Sequence, residues 1–282
     1  MKTLLSLGHG YCAAALARGL LAEGWTVIGT TRDAAKATAF EAMGVEPLVW
    51  DPARGADLAP ALARATHILH SASPDEAGDP FLNAWPGIRE AQVEWMGYLS
   101  TTGVYGDTRG AWVDETSPVL PARARSGERV RAERDWLASG LPVQVFRLAG
   151  IYGPGRGPFE KIRNGSARRI LKEGQVFSRI HVDDIVQVLG ASIAAPRPGR
   201  VYNVCDDLPS SAAEVLSFAA GLLGLPEPPA VEFAEARMGP LARSFYEECR
   251  RVRNTRIREE LGVQLLYPDY RAGLRGILAA EG

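Results

Sequence analysis

The sequence predicts an α/β protein built on a Rossmann-type, doubly wound parallel sheet, with a smaller interleaved C-terminal substrate region. The first observation is that short apolar runs alternate with helical patterns; runs that are apolar throughout suit a parallel sheet covered on both faces. The second is that the joining turns are short, which is typical of right-handed strand–helix–strand units. The predicted strands are residues 3–7, 26–30, 45–50, 67–71, 96–101, 143–148 and 201–204.

The predicted helices begin and end at residues that favour those positions. Residues 11–23 are rich in Ala and Leu and stop at Gly24, and residues 34–43 stop at Gly44, with Asp33 placed to cap their start. Residues 150–157 hold four glycines and a proline, too many for a regular element, and irregular sequence is expected to continue to residue 175. The remaining predicted helices are residues 86–95, 123–139, about 183 onward, and 211–223.

The domain organisation follows from where this alternation stops. A dinucleotide-binding Rossmann domain is expected to comprise residues 1–150 and about 176–205. The smaller substrate-binding region is expected to comprise about 151–175 and 206–282, with three prolines within residues 226–229 forming a stiff linker.

Composition narrows the class of protein. The 46% hydrophobic and 23% charged residues are typical of a soluble globular domain, and the net charge of −1 gives no reason to expect nucleic acid or an anionic membrane as partner. The three cysteines lie far apart without metal or redox spacing, and no apolar run approaches the length of a membrane span. The expectation is a cytoplasmic protein without a metal ion.

The sharpest motif lies between the first predicted strand and the first helix, at Gly8, His9, Gly10, Tyr11, Cys12 and Ala13. Gly8 permits a tight turn, Gly10 lets the backbone approach a pyrophosphate, and a small residue at Ala13 lets helix and strand pack closely. A structural turn without a ligand would not explain why both glycines fall where phosphate would sit. The motif therefore predicts dinucleotide binding at the helix N-terminus.

The end of the second strand indicates which dinucleotide is bound. NAD-binding units place an acid there to hold the ribose hydroxyls, whereas this chain has Thr31 and Arg32. A hydroxyl and a guanidinium favour a 2′-phosphate, so NADP(H) is the preferred cofactor, with NAD(H) as the alternative if Arg32 merely faces solvent.

Several further segments, taken together, resemble the extended short-chain dehydrogenase/reductase family, the NAD-dependent epimerase/dehydratase group. The resemblance covers residues 1–225 in the family's order, and it implies a cofactor site along the sheet edge and a substrate region built from later segments. The matching segments are VWD (49–51), HSAS (70–73), STTGVYG (100–106), RLAGIYGPG (147–155), IHVDDI (180–185) and VYNV (201–204).

The resemblance implies roles for particular residues. Asp51 would contact the adenine, and Thr101 would hydrogen-bond a substrate oxygen, unless it is a strand-end hydroxyl bonded to backbone. His9 would hydrogen-bond phosphate or pack under the ribose. The residues expected to line the nicotinamide end are His70, Ser71, Ala72, Ser73, Thr101, Leu148, Ala149, Gly150 and Ile151.

The departure from the family concerns its catalytic Tyr-x-x-x-Lys pair. Aligning the family's following Glu with Glu133 puts Arg125 at the Tyr position and Arg129 at the Lys position. Arg129 retains positive charge for a ribose, but an arginine does not exchange protons near neutral pH, because its pKa exceeds about 12. Tyr105 and Tyr152, each followed by Arg four residues later, are the substitute acids that the sequence offers, although the resemblance implies packing or substrate-wall roles for both.

Two other features have competing interpretations. His181 is able to titrate near pH 7, but a junction histidine beside an Asp183 or Asp184 helix cap explains it more simply. The charged helix at 123–139 is most simply a solvated face, but it carries Val130, Trp136 and Leu137, which the resemblance marks as candidates for a homodimer interface.

The leading functional interpretation is an NADP(H)-dependent oxidoreductase or epimerase-like enzyme acting on a small polar or sugar-related molecule. The rival is a non-catalytic NADP(H)-binding redox sensor or regulator, which the missing Tyr/Lys pair favours.

Overall fold

The computed structural model describes residues 1–51 and 57–281, and it confirms the Rossmann-type α/β architecture. Its strands, in chain order, are β1 (Thr3–Leu7), β2 (Thr26–Thr31), β3 (Glu46–Val49), β4 (His67–His70), β5 (Trp95–Thr101), β6 (Trp112–Val113), β7 (Val143–Leu148), β8 (Gly150–Tyr152), β9 (Arg169–Leu171), β10 (Arg179–His181), β11 (Val201–Val204), β12 (Ala230–Glu232) and β13 (Arg251–Val252).

The α-helices alternate with these strands through the first two thirds of the chain. They are α1 (Tyr11–Ala22), α2 (Ala37–Ala42), α3 (Ala59–Arg64), α4 (Pro80–Ala84), α5 (Ala124–Leu137), α6 (Phe159–Arg163), α7 (Val182–Ala194), α8 (Ala212–Leu222), α9 (Pro240–Phe245), α10 (Thr255–Leu261) and α11 (Tyr270–Glu281). Short 3-10 helices lie at Ala34–Lys36, Pro86–Glu90 and Thr102–Tyr105.

The main sheet has seven strands in the order β11-β7-β5-β4-β1-β2-β3. The pairing is parallel from β3 through β2, β1 and β4 to β5, with Leu7 opposite His70 and His70 opposite Tyr98. Because these strands run in the same direction, the segments that follow β1, β4 and β5 leave one edge of the sheet side by side. Ligands of open parallel sheets bind at this edge.

The chain divides into two compact units. The first comprises Met1–Val104, Arg123–Arg147 and Val186–Tyr202, and the second comprises Tyr105–Ala122, Leu148–Ile185 and Asn203–Gly282. These boundaries assign residues 105–122 and 176–185 to the second unit, whereas the sequence placed them in the Rossmann domain. Strand pairing explains the difference, because β8 pairs with β10 and β6 pairs with β13, all within the second unit.

Each unit has its own apolar core. In the first, Trp50 stacks on Phe81 with ring centroids 4.1 Å apart, and Trp136, a residue of α5, is fully buried. In the second, Tyr270 of α11 packs edge-on against Phe218 of α8.

Two predicted elements differ from the structure. The helix expected at residues 86–95 is only the 3-10 helix Pro86–Glu90, because α4 begins earlier, where Asp79 accepts the N–H groups of Phe81 and Leu82. Trp85 has φ −138° and ψ 74°, as a residue before proline must leave the helical region, so the two turns do not merge. The glycine-rich segment expected to be irregular contains β8, and the residues after it contain α6 and β9.

Candidate functional site

The glycine loop after β1 is fixed by its neighbours on the sheet edge. Gly8 has φ +80°, and a Cβ atom there would lie 2.8 Å from the backbone nitrogen of Ala72, so only glycine fits. The Gly8 N–H donates to Thr30 Oγ1 at 2.7 Å, and the hydroxyl of Ser71 donates to the Gly8 carbonyl. The turn is therefore held rigidly between β2 and β4.

Gly10 caps α1 without occupying the space beyond the helix. Its φ of −106° is accessible to any residue, and a Cβ atom there would have Gly8 O, 3.9 Å away, as its nearest neighbour among the described residues. The first turn of α1 carries no acid, and Ala13 is fully buried against the sheet. A helix N-terminus with open space before it suits an anion, so these residues fit a pyrophosphate.

His9 does not have the role that the sequence gave it, since its ring lies in the core. Its N–H donates to Thr30 O at 3.0 Å, and its ring packs edge-on against Phe40 at 4.8 Å, in the space left by Gly29. Both ring nitrogens are buried without a hydrogen-bond partner in the described chain, and burial lowers the pKa of His9 to about 4. A neutral, packed imidazole does not contact phosphate. Cys12 is also buried, on the inner side of α1.

The end of β2 holds the residues predicted to select the dinucleotide. Thr31 Oγ1 accepts the N–H of Asp33 at 3.1 Å, so its hydroxyl belongs to the turn. The Arg32 side chain is exposed, and Asp51 lies half-buried beyond the end of β3. The carboxylate of Asp33 accepts the N–H of Ala35 at 2.9 Å and caps the following 3-10 helix, as the sequence predicts.

His70, the last residue of β4, lies in an aromatic core and not at the cofactor edge. It is fully buried, with the rings of Phe81, Tyr98 and Trp136 within 5.3 Å. Its Nε2 lies 2.9 Å from a carboxylate oxygen of Asp79. Burial alone would raise the pKa of Asp79, but the charge and hydrogen bonds of His70 and the hydrogen bond of Trp136 lower it. The His70 side chain therefore packs within the protein and does not favour the predicted cofactor contact, and Asp79 is a partner that the sequence did not indicate.

Arg129, at the family's lysine position, holds the ends of β4 and β5 together. One guanidinium nitrogen donates to Leu99 O at 2.9 Å and to Ala72 O and Tyr98 Oη at 3.2 Å, and the other donates to Ser73 Oγ at 3.0 Å. Its hydrogen-bond donors are thus largely used by the protein, and its positive charge is fixed at the sheet edge. Arg125, at the tyrosine position, is exposed on the first turn of α5.

The end of β5 places two hydroxyl groups beside Gly103. Thr101 Oγ1 accepts the N–H of Gly103 at 3.0 Å, as the backbone interpretation of this residue predicts. Its own proton has no acceptor among residues 1–51 and 57–281, so the substrate interpretation also stays open. The second hydroxyl is that of Ser126 on α5, which sequence reasoning missed because the two residues are distant in the chain.

A buried ion pair anchors α5 to the sheet. Glu133 Oε2 accepts from Arg147 Nη2 at 2.8 Å, with both side chains less than one tenth exposed, and the Ser100 hydroxyl donates to Glu133 Oε1. The same helix carries Trp136, which is fully buried and so is not an interface residue. The homodimer prediction therefore retains only Val130 and the exposed Leu137.

The two tyrosines proposed as substitute acids lie in the second unit and are poorly suited to that role. Tyr105 is 2% exposed and donates its hydroxyl proton to Asn203 Oδ1 at 2.8 Å. Burial and the nearby carboxylates, Asp206 foremost, raise the pKa of Tyr152 instead of lowering it. This arrangement therefore favours neither tyrosine as the proton donor for a substrate.

The remaining predicted positions also lie in the second unit. Leu148 and Ala149 are buried, and Gly150 and Ile151 begin β8. Burial lowers the pKa of His181, whose Nδ1 accepts the N–H of Asp183 at 3.2 Å and so caps α7 itself. The Asp184 carboxylate instead accepts backbone N–H groups near the C-terminus, including that of Leu266 at 2.6 Å, so the predicted aspartate cap is wrong.

Comparison with known proteins finds relatives whose sequences align with nearly the whole chain. No protein-family model matches it. Protein YeeZ from Escherichia coli K12 is 29% identical over 283 aligned positions, which cover 95% of this chain and 97% of YeeZ. The UDP-glucose 4-epimerase of Mycolicibacterium smegmatis is 26% identical over 309 positions, which cover 94% of this chain and 93% of the epimerase.

Solved structures give the same fold. A functionally unknown conserved protein from Silicibacter pomeroyi DSS is 56% identical, with a TM-score of 0.94 and 99% of each chain covered. A putative NAD-dependent epimerase/dehydratase from Methylobacillus flagellatus is 26% identical, with a TM-score of 0.73 and coverage of 99% and 98%. The dTDP-glucose 4,6-dehydratase of Bacillus anthracis in complex with NAD is 19% identical, with a TM-score of 0.78 and coverage of 99% and 96%, which shows the fold alone.

The homologues and structural neighbours of this chain are members of the NAD-dependent epimerase/dehydratase family, the extended short-chain dehydrogenase/reductases. The resemblance predicted from the motifs is confirmed. Those relatives whose names give an activity are enzymes, in agreement with the predicted oxidoreductase or epimerase-like activity.

Proposed function

We propose that this protein is an NADP(H)-binding, epimerase/dehydratase-like oxidoreductase that acts on a small polar, sugar-related substrate. The observation that carries the proposal is the glycine loop, in which Gly8 is forced by contact with Ala72 and Gly10 leaves open space before α1. A structural turn would need the first glycine but not the second. The names of the sugar-nucleotide enzymes among the relatives support the substrate class.

The residues divide into those that would hold the cofactor and those that would orient it. Gly8, Gly10 and the N-terminus of α1 would hold the pyrophosphate, and Arg32 would face the 2′-phosphate. Thr101 would present its unused proton to an oxygen at the nicotinamide end. The bound dinucleotide would supply the hydride donor or acceptor, while these residues contribute position and charge.

The preference for NADP(H) depends on Arg32. Its side chain is exposed at the end of β2, and the neighbouring Asp33 carboxylate is engaged by the N–H of Ala35. We expect NADPH to bind at least tenfold more tightly than NADH, a difference of about 1.4 kcal/mol, in calorimetric titrations of cofactor-stripped protein. Arg32→Ala should remove this preference, whereas Arg89→Ala, a change at another exposed arginine, should keep it. Equal affinity of the unaltered protein for both dinucleotides would contradict the NADP(H) preference.

A non-catalytic NADP(H) sensor is the second candidate, and specific observations favour it. Arg129 is held by four protein acceptors, and the hydroxyl of Tyr105 is buried against Asn203. The two functions are distinguished by the absorbance of reduced nicotinamide when the NADP⁺-loaded protein meets UDP-glucose or dTDP-glucose. A transient or lasting increase supports the enzyme, and tight cofactor binding without any change across such a panel supports the sensor.

The cellular setting is part of the same proposal. None of the helices in residues 1–51 and 57–281 is long and apolar enough to cross a bilayer. A cytoplasmic location and a homodimer through the exposed side of α5 stay predictions.

A further inference from the structure

The imidazole of His9 lies in a slot that a glycine leaves open in β2. A Cβ atom on Gly29 would lie 2.9 Å from His9 Cγ and 3.0 Å from His9 Cβ and from Val45 Cγ1. A side chain at position 29 and the imidazole therefore exclude each other. Phe40 of α2, which is 5% exposed, also meets the imidazole, edge-on with ring centroids 4.8 Å apart. The His9 ring thus packs against both β2 and α2.

Packing, and not hydrogen bonding, explains the position of this ring. Both ring nitrogens lack a hydrogen-bond partner within residues 1–51 and 57–281, and His9 is only 9% exposed. Burial lowers the pKa of His9 to about 4, so the imidazole is neutral at pH 7. Because buried polar atoms without partners destabilise a fold, the ring contributes through its volume and shape.

The backbone of His9 belongs to the glycine loop, so this residue connects the loop to α2. The His9 N–H donates to Thr30 O at 3.0 Å, and the Gly8 N–H donates to Thr30 Oγ1 at 2.7 Å. The loop is thereby held on Thr30, two residues before Arg32. The turn that carries Arg32 continues through the 3-10 helix Ala34–Lys36 directly into α2. The position of α2 therefore affects the position of Arg32.

We propose that His9 is a positioning residue for the choice of dinucleotide. Its ring holds α2 at a fixed distance from the glycine loop, so that the turn after β2 presents Arg32 to a 2′-phosphate while the loop receives the pyrophosphate. The inference rests on the proposed function, because it assumes that NADP(H) spans the loop and this turn. His9 acts through Arg32 and does not touch the ligand itself. Gly29 lacks a side chain because the imidazole occupies that space.

The test measures the ratio of the affinities for NADPH and NADH by calorimetric titration of the full chain. His9→Ala empties the slot and lets α2 shift, so it should lower this ratio roughly threefold to tenfold, by weakening the charge-assisted hydrogen bonds of the 2′-phosphate. Gly29→Ala places a methyl group where the imidazole lies and should lower the ratio as well. Damage to the loop alone would weaken both dinucleotides equally and leave the ratio unchanged.

Two further variants separate the shape of the ring from its nitrogens. His9→Leu keeps a side chain of similar volume without polar atoms, so the ratio should stay that of the unaltered protein. In the double variant that combines His9→Ala with Gly29→Ala, the new methyl group no longer meets an imidazole. Because both changes act on one slot, the double variant should lose no more of the ratio than the more affected single variant.

His67 provides the matched control, since it is another buried histidine of the first unit. It is 2% exposed, its ring packs edge-on against Trp25 at 4.7 Å, and burial lowers its pKa as well. It begins β4 and lies opposite Leu4, at the other end of the strands from the glycine loop. His67→Ala should therefore reduce stability and keep the NADPH/NADH ratio of the unaltered protein.

The outcomes distinguish the role of His9 from the proposed function. If the unaltered protein binds neither dinucleotide, or binds both equally, the NADP(H) assignment falls and the role of His9 falls with it. If the unaltered protein prefers NADPH, the role of His9 alone is overturned in three cases: His9→Ala and Gly29→Ala keep the preference, His9→Leu loses it, or the losses of the two single variants add in the double variant. Thermal unfolding of each variant confirms that folded protein is being titrated.

Discussion

Two buried carboxylates, Glu133 in the first unit and Asp206 in the second, have opposite surroundings. In the first, the carboxylate of Glu133 is 4% exposed and receives hydrogen bonds from Arg147 and Ser100. In the second, Asp206 is 1% exposed, and its carboxylate is approached by the backbone N–H groups of Leu208 and Arg179 but makes no ion pair of the kind that Glu133 makes. Burial raises the pKa of Asp206 to about 8, and the nearby Arg179 opposes only part of that rise.

The difference shows what each unit requires of its buried groups. The first unit fixes charges in place around the sheet edge, so that the helix bearing Ser126 and Arg129 keeps its position. In the second unit, burial raises the pKa of Asp206 to about 8, because it penalises the charged carboxylate more than the nearby Arg179 stabilises it. The Arg179 guanidinium donates to the carbonyls of Phe177 and Ser210, each at 2.9 Å.

Breaking the buried ion pair between Glu133 and Arg147 in the first unit should cause the largest loss of stability. Glu133→Ala leaves the Arg147 guanidinium buried without its carboxylate, and we expect a loss of about 3–5 kcal/mol in the free energy of unfolding. Chemical denaturation measures this loss. The matched control is Glu46→Ala, because Glu46 pairs with Arg64 at 2.7 Å with both side chains about half exposed. Its expected cost is at most about 1 kcal/mol. Equal costs for the two variants would contradict the anchoring role of Glu133.

The buried Asp206 of the second unit should make the stability of the protein depend on pH. Between about pH 4 and pH 8 the folded protein holds the Asp206 proton and the unfolded chain does not. The stabilising contribution of Asp206 to the free energy of unfolding is therefore fully present below pH 4. It is lost as the pH rises, at up to about 1.4 kcal/mol per pH unit. Asp206→Asn should remove that slope in denaturation experiments between pH 6 and pH 8.

The neighbouring Asp207 provides the control for this prediction. Its carboxylate pairs with Arg258 and is about 40% exposed, so Asp207→Asn should leave the slope unchanged. A wild-type slope that persists in Asp206→Asn would show that another group causes it.

Much of the first unit was predictable because its signals are local. The strand–helix alternation, the two glycines and the small Ala13 are all read within a few residues, and each has the predicted place in the structure. Asp33 caps a helix as the sequence predicts, although a 3-10 turn precedes α2.

The sequence did not predict which side chains at the strand ends face the cofactor edge. A motif identifies the residue at a strand end but not the face to which its side chain turns. Successive side chains of a strand point to opposite faces. His70 therefore turns into the aromatic core, while Ser71 reaches the glycine loop. Ser126 and Asp206 were not found because their surroundings include residues distant in the chain, which no local pattern reports.

The most direct test of the cofactor site is Gly10→Ala, titrated with NADPH. The backbone angles of Gly10 suit alanine, and the new methyl group would meet no described atom closer than 3.9 Å, so the protein should fold with a stability within roughly 1 kcal/mol of normal. We expect NADPH affinity to fall at least tenfold, because the methyl group enters the space assigned to the pyrophosphate. Gly19→Ala, in α1 and equally free of contacts within the described chain, should bind normally. Full NADPH affinity in Gly10→Ala would contradict the account.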